Sequence, residues 1–308
     1  MMRVLARAFA LMGREREGLR NPGNDQATGI GLLLAAIIGF TMMDATAKYL
    51  TEGYHPVQVV WARFVGNLAI FALIYRQRAF LLMRTRQPGL QFSRALMQLG
   101  SVGLFFTSLQ FIGLAEATAI MDINPVLITL GAALFLGEKI GPRRVAGIVA
   151  ALIGAMIIIR PGLGVFQPAA LLPLAGAFTY AAGALLTRMV RADSVATSVM
   201  WSAVVGTVAT SLVVPFFWTP IAMSDLWLFA LLGCFGTLSQ WLLVRAFSVA
   251  EAGALAPFGY TGLIWAGFWG WLFFDQLPDL WTIIGATIIV AAGLYIWSRE
   301  ARAARKEE

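Results

Sequence analysis

Apolar runs of about 20 residues, each long enough to carry a helix across roughly 30 Å of hydrocarbon, follow one another along nearly the whole chain. Ten such windows are predicted as helices: residues 28–50, 56–75, 94–113, 117–137, 144–160, 168–188, 195–217, 224–246, 252–274 and 279–297. The runs are continuous and lack the period-two alternation of strands that face lipid on one side and a lumen on the other, so the pattern specifies helices and not a barrel. The connecting segments are short, which leaves almost nothing for an aqueous domain. The prediction is an all-α integral membrane protein whose work is done within the bilayer.

Composition agrees. Of 308 residues 59% are hydrophobic and 13% charged, against the quarter or so of charged residues usual in soluble domains. The net charge of +7 is explained by its placement. With the N-terminus inside, all 23 basic residues but Lys48, Arg63 and Arg160 fall on the inner side. That bias is the positive-inside rule, so the charge sets orientation and calls for no nucleic acid. Both termini are expected to be cytoplasmic and the protein to reside in the inner (plasma) membrane, with lipid as its surroundings. In residues 1–27 the apolar piece VLARAFALM is interrupted by an arginine and followed by more, which reads as a basic, interfacial segment and not a cleaved signal. The single cysteine, Cys234, excludes an intrachain disulfide and reads as a small core residue.

Two stretches resemble each other: GLAEATAIMDINPVLITLGAALFLGEKI (113–140) and SVAEAGALAPFGYTGLIWAGFWGWLFFDQL (248–277). Each opens with Ala-Glu-Ala, has a proline soon after, and carries an acidic residue where the span ends, Glu138 and Asp275. Upstream, GFTMMDATAKYL followed by Trp61 parallels AFTYAAGALLTR followed by Trp201. The chain thus divides into a first five-helix repeat (28–160) and a second (168–297), flanked by the N-terminal segment and a cytoplasmic tail, 298–308. Five is odd, so the second repeat enters the membrane with the opposite orientation. Inverted repeats around a central cavity are associated with alternating access.

These motifs, with Lys48 ending the first span and WARF in the second, resemble the drug/metabolite transporter superfamily, and within it the EamA-type ten-helix carriers. The closest resemblance is to amino-acid exporters of the YddG type. The resemblance covers roughly residues 28 to 300 and implies a ten-helix carrier for small metabolites. The second copy departs from the first: Pro257 stands where the first has Asp122, and no basic residue matches Lys48 or Arg63.

Depth along the helices picks out candidate site residues. Asp44 and Asp122 lie about 9 Å, and Arg63 about 10 Å, from the outer ends of their spans, while Lys48 is only about 3 Å in and able to snorkel. Charges at that depth are costly unless paired or hydrated and usually face the bundle interior, so Asp44, Arg63 and Asp122 are expected to form one cluster. Two readings stand. The cluster meets the charged ends of a zwitterion, or it is a structural ion pair with Lys48 tied to Asp44 at i,i+4. Asn124 and Pro125, and Pro257 and Tyr260, mark kinked helices that line a midplane site, because a proline leaves a carbonyl in need of another partner; the other reading is a mere packing kink. Gln240 is a candidate hydrogen-bonding group, with Gln98, Gln110 and Ser239, though bridging helices is the commoner use of such residues. Tyr180 and Trp265 are candidate stacking platforms, whereas Trp269, Trp271, Trp281 and Trp297 read as interfacial anchors. Glu116 and Glu251 sit at helix starts, as caps or as proton-coupling carboxylates. The small residues of GIVAALIGA (147–155) suit close helix packing or a dimer face; a homodimer is compatible with this and a monomer suffices.

The sequence has no HExxH, GxSxG, phosphate-loop or His/Cys metal-ligand pattern. No cofactor or metal is expected, and transport must run on solute or ion gradients. The leading expectation is a secondary transporter that exports neutral or aromatic amino acids. The alternatives are uptake or exchange of another small metabolite and, from other classes, a membrane-embedded enzyme or a non-transporting scaffold.

Overall fold

The structure, a computed structural model, describes residues 22–136, 141–160, 168–190, 193–250 and 252–304. The candidates Glu251 and Glu138, the N-terminal residues 1–21 and the last four residues lie outside them. All regular structure among the described residues is helical: α1 (Pro22–Gly53), α2 (Pro56–Tyr75), α3 (Pro88–Ser108), α4 (Leu114–Met121), α5 (Asn124–Leu136), α6 (Pro142–Ile159), α7 (Leu171–Met189), α8 (Val195–Val213), α9 (Leu226–Val249), α10 (Ala252–Gly259), α11 (Thr261–Phe274) and α12 (Leu280–Ala304), with short 3₁₀ turns between some of them. Seven helical stretches among the described residues are long and apolar enough to cross a membrane, and Val145–Ile159 is a shorter apolar helix. The chain is a multi-pass membrane protein.

Helix starts follow local chemistry. Pro56, Pro88 and Pro142 stand in the first turns of α2, α3 and α6, where the missing N–H would be unpaired in any case and φ is already helical. α1 at both ends, α3 at its start and α12 at its end extend beyond the predicted bounds, because hydropathy measures what lipid requires and a helix runs on into polar flanks, whereas α3 stops at Ser108, short of its predicted end.

Two of the predicted spans are broken. α4 stops at Met121 with Asp122 as its C-cap, and α5 restarts at Asn124, ahead of Pro125. α10 contains Pro257, and α11 restarts after Tyr260. In both places proline removes a helical donor and lets the axis shift within the membrane.

α1 packs most extensively on α9, α3 on α7 and α6 on α12, while α2 lies against α8 and α9. α4 runs along α11, whereas α5 turns to α7 and α10 to α1. Close approach is written into glycines. A Cβ at Gly66 would stand 2.7 Å from the Gly233 Cα, and one at Gly154 2.8 Å from the Gly285 carbonyl oxygen. The second contact shows that the small-residue stripe of α6 is used against α12, the intramolecular option.

One apolar core joins α1, α2, α3 and α9 around Met43, Leu50, Phe64, Phe106 and Leu232. A second joins α4–α5, α6, α7 and α12 around Ile120, Ile123, Ile158 and Ile289. Cys234, expected in a core, is exposed on α9. Its neighbour Gly233 is the residue pressed against α2, and one step round a helix turns the thiol outward.

Candidate substrate pathway

The rotation of α2 is set from its first turn. The His55 Nδ1 accepts the Val57 N–H, and the His55 ring stacks on Phe217 at 4.2 Å. Gln58, fully buried, donates to the Thr219 carbonyl at 2.9 Å and accepts the Thr219 N–H at 3.0 Å, and the Trp61 indole donates to the Ser211 hydroxyl. With Phe64 turned into the core, Arg63 is carried to the interior junction of α1, α2 and α3. Its guanidinium lies 5.4 Å from the centre of the Phe106 ring. Asp44 on α1 is its electrostatic neighbour. Yet the Arg63 Nε is buried with no protein partner. A donor of that strength with an open valence is a place for an acceptor carried by a solute or by water.

Asp122 does not join this pair. Its electrostatic neighbour is Tyr260 at the other helix break, and the Tyr260 hydroxyl reaches across to α12 at Gly293, where any side chain would collide with it. The Asp122 Oδ2 and Asn124 Oδ1 are buried and unpartnered, as are the hydroxyls of Thr207 on α8 and Ser239 on α9. The expected three-charge cluster is therefore two groups, Asp44 with Arg63 and Asp122 with Tyr260. Equal depth does not fix direction around a helix axis.

The remaining candidates are more dispersed. Pro125 is exposed, Pro257 and Gln240 are half-buried, and Tyr180 is 40% exposed on α7. Trp265 stacks on Trp269 at 5.8 Å and packs against the small core around Leu33, Ile37 and Leu255. Trp269, read as an interfacial anchor, is half-buried and donates to the Thr41 hydroxyl at 3.1 Å. Glu116, in the first turn of α4, accepts the Gly113 N–H, as a capping carboxylate does, with Lys48 and Arg160 in electrostatic range. Gln110 donates to the Thr51 carbonyl, a helix bridge.

Lys48 overturns an expectation. It neither snorkels nor pairs with Asp44. Only 4% exposed, its ammonium donates to the carbonyls of Leu109 (2.8 Å) and Ile112 (2.9 Å), just past the end of α3, and lies 5.4 Å from the Phe274 ring at the end of α11. The free carbonyls of a helix C-terminus and its negative dipole end are better partners than a carboxylate four residues back. The same end is tied further by the Arg160–Asp279 ion pair and by the Tyr54 hydroxyl, which donates to Asp225 at 2.7 Å and accepts the Ala222 N–H. At the opposite end Arg94, 8% exposed, donates to Gln91, to the Ser198 carbonyl and to the Ser202 hydroxyl, and Gln91 continues to Asp193, which also accepts from Thr85. The sequence shows Arg94 only as one more inner basic residue. Its Ser198 and Ser202 partners lie 104 and 108 residues away and carry no local signal.

The sequence pattern of the EamA-like transporter family matches residues 27–160 and again residues 167–298. The chain belongs to that family. This EamA-like protein is similar to the riboflavin transporter of Rhizobium johnstonii, 30% identical over 285 residues that cover 89% of this chain and 92% of that one. It is also similar to the pseudopaline exporter CntI of Pseudomonas aeruginosa, at 30% over 271 residues (85% and 94%), and to the S-adenosylmethionine uptake transporter of Rickettsia bellii, at 26% over 283 residues (91% and 96%). A solved crystal structure 17% identical to it superposes with a TM-score of 0.60, covering 87% of this chain and 96% of that one, and shares its fold. The family and these relatives are transporters, so the EamA-like chain is a membrane transporter of small metabolites. None of the three relatives is named for an amino acid.

Proposed function

We propose that this EamA-like protein is a secondary carrier for a small metabolite other than a standard amino acid, operating by alternating access between two inverted five-helix halves. The observation that carries the reading is the half-buried Arg63, its guanidinium seated beside Phe106 with a buried Nε that has no protein partner and with Asp44 in electrostatic range. It offers a strong donor and an aromatic face to a planar solute bearing acceptor oxygens or nitrogens. The riboflavin, pseudopaline and S-adenosylmethionine relatives favour such a cargo over the amino-acid exporter that the sequence alone suggests. They include both uptake and export carriers, and in a gradient-driven carrier direction follows the gradient.

Helix packing supports the inverted arrangement. Counting α4–α5 and α10–α11 as one span each gives ten, and exchanging span n with span n+5 turns the α1/α9 contact into α7/α3 and α2/α9 into α8/α3, and maps α6/α12 and α2/α8 onto themselves. All four kinds of contact are present. The two family matches support it too. In this reading the Lys48 end is outer and closed, with α4 packed on α11, and the carrier faces inward, where α5 and α10 go to different neighbours.

The test is flux into liposomes holding the purified protein, with labelled riboflavin, S-adenosylmethionine and phenylalanine as separate cargoes. Saturable riboflavin or S-adenosylmethionine flux that drops at least tenfold in Arg63→Ala is expected. Phenylalanine flux alone would return the reading to an amino-acid carrier, and no saturable flux of any of the three would remove it.

A further inference from the structure

Asp44, Glu116 and Asp122 are all membrane-embedded carboxylates, but they differ in what surrounds them. Asp44 has Arg63 in electrostatic range. Glu116 accepts a backbone N–H and has Asp279 but also Arg160 and Lys48 in electrostatic range. Asp122 has neither advantage. One of its oxygens is buried without a partner, and the group it interacts with is the neutral phenol of Tyr260. It also caps the C-terminal end of α4, where the helix dipole disfavours negative charge. Burying an uncompensated carboxylate costs several kcal/mol, whereas the neutral acid escapes most of that cost and gains a hydrogen-bond donor. Asp122 also sits at a helix break, the part of the fold whose surroundings change when α5 separates from or closes on its neighbours.

Building on the carrier reading above, we propose that Asp122 is the proton-coupling residue. It takes one proton from water onto a carboxylate oxygen when the break is open to one side and returns that proton to water after the halves have rearranged, so one proton crosses for each cargo molecule moved the other way. The titratable or charged groups on elements packed against α4 include Tyr260 at the α10–α11 break, Asp44, Lys48, Tyr49 and Glu52 on α1, Tyr180 and Arg188 on α7, Arg160 at the end of α6, and Asp279 and Tyr295 at and on α12. Of these Tyr260 interacts with Asp122, while Lys48 and Arg160 serve Glu116.

The experiment uses the full chain in liposomes with the membrane potential clamped at zero, labelled riboflavin as probe and a pH difference of one unit. One-for-one exchange predicts about tenfold accumulation by the wild type. In Asp122→Asn the label should only equilibrate, while exchange at equal pH continues. Tenfold accumulation by the Asn variant, or wild-type accumulation indifferent to the pH difference, would overturn the proposal. A second measurement does not depend on the cargo. Infrared difference spectra of the wild type at neutral pH should contain the carbonyl stretch of a protonated carboxylic acid that persists in Glu116→Gln and vanishes in Asp122→Asn. Its absence from the wild type would overturn the assignment even if riboflavin is not carried, and riboflavin flux without it would leave the carrier reading standing alone.

Discussion

Replacing Lys48 by methionine tests how α1 is held to the end of α3. Methionine keeps most of the apolar stem and removes the ammonium, so the loss is confined to the two bonds at 2.8 and 2.9 Å to Leu109 and Ile112 and the contact with Phe274. Hydrogen bonds to a charged group contribute about 1.5–3 kcal/mol each, and the cation at the α3 terminus adds about 0.5 kcal/mol through the helix dipole. Against that, the variant no longer carries the cost of keeping an ammonium 4% exposed, an offset of about 2 kcal/mol on the scale of imperfectly compensated buried polar groups. The net is about 3 kcal/mol, or about 5 °C in melting temperature for a chain of this size. Differential scanning fluorimetry of the detergent-solubilised protein reads this directly. Lys48→Arg, which keeps charge and donors but changes their geometry, should fall between the two. A Lys48→Met protein melting within a degree of the wild type would refute the idea that this ammonium ties α1 to the ends of α3 and α11.

Gly154→Val should destabilise by about 1–3 kcal/mol through overpacking, because its new side chain would press on Gly285 and Ile289 of α12; a monomeric variant of wild-type thermal stability would show that the α6/α12 contact is loose. At the opposite end, hydrogen bonds from Gln91 and Thr85 hold the Asp193 carboxyl below the usual aspartate range. A carboxyl lowered in the folded state contributes stability that is present above the unfolded value of about 3.9 and is lost as pH falls through the folded one. The melting-temperature difference between wild type and Asp193→Ala should therefore be constant from neutral pH down to about pH 5 and shrink below about pH 4; a difference that does not change with pH would contradict this.

The sequence alone determined what lipid enforces. Apolar runs of membrane-crossing length recur along the chain, and the helices found there match them to within a few residues at most ends, because a backbone in hydrocarbon has to satisfy its own hydrogen bonds. The prolines at residues 125 and 257 were legible as kinks for the same kind of reason, since a missing N–H acts locally, but that the helices break there was not. Partnership was not legible. Counted depth put Asp44, Arg63 and Asp122 at one level, but only the tertiary structure set Asp122 in the field of Tyr260, gave Lys48 the end of α3 instead of Asp44, sank Arg94 among Ser198 and Ser202, and faced Cys234 outward. A span is specified by neighbours in the chain, whereas the azimuth of a helix and the partner of a buried charge are fixed by how helices distant in sequence pack together.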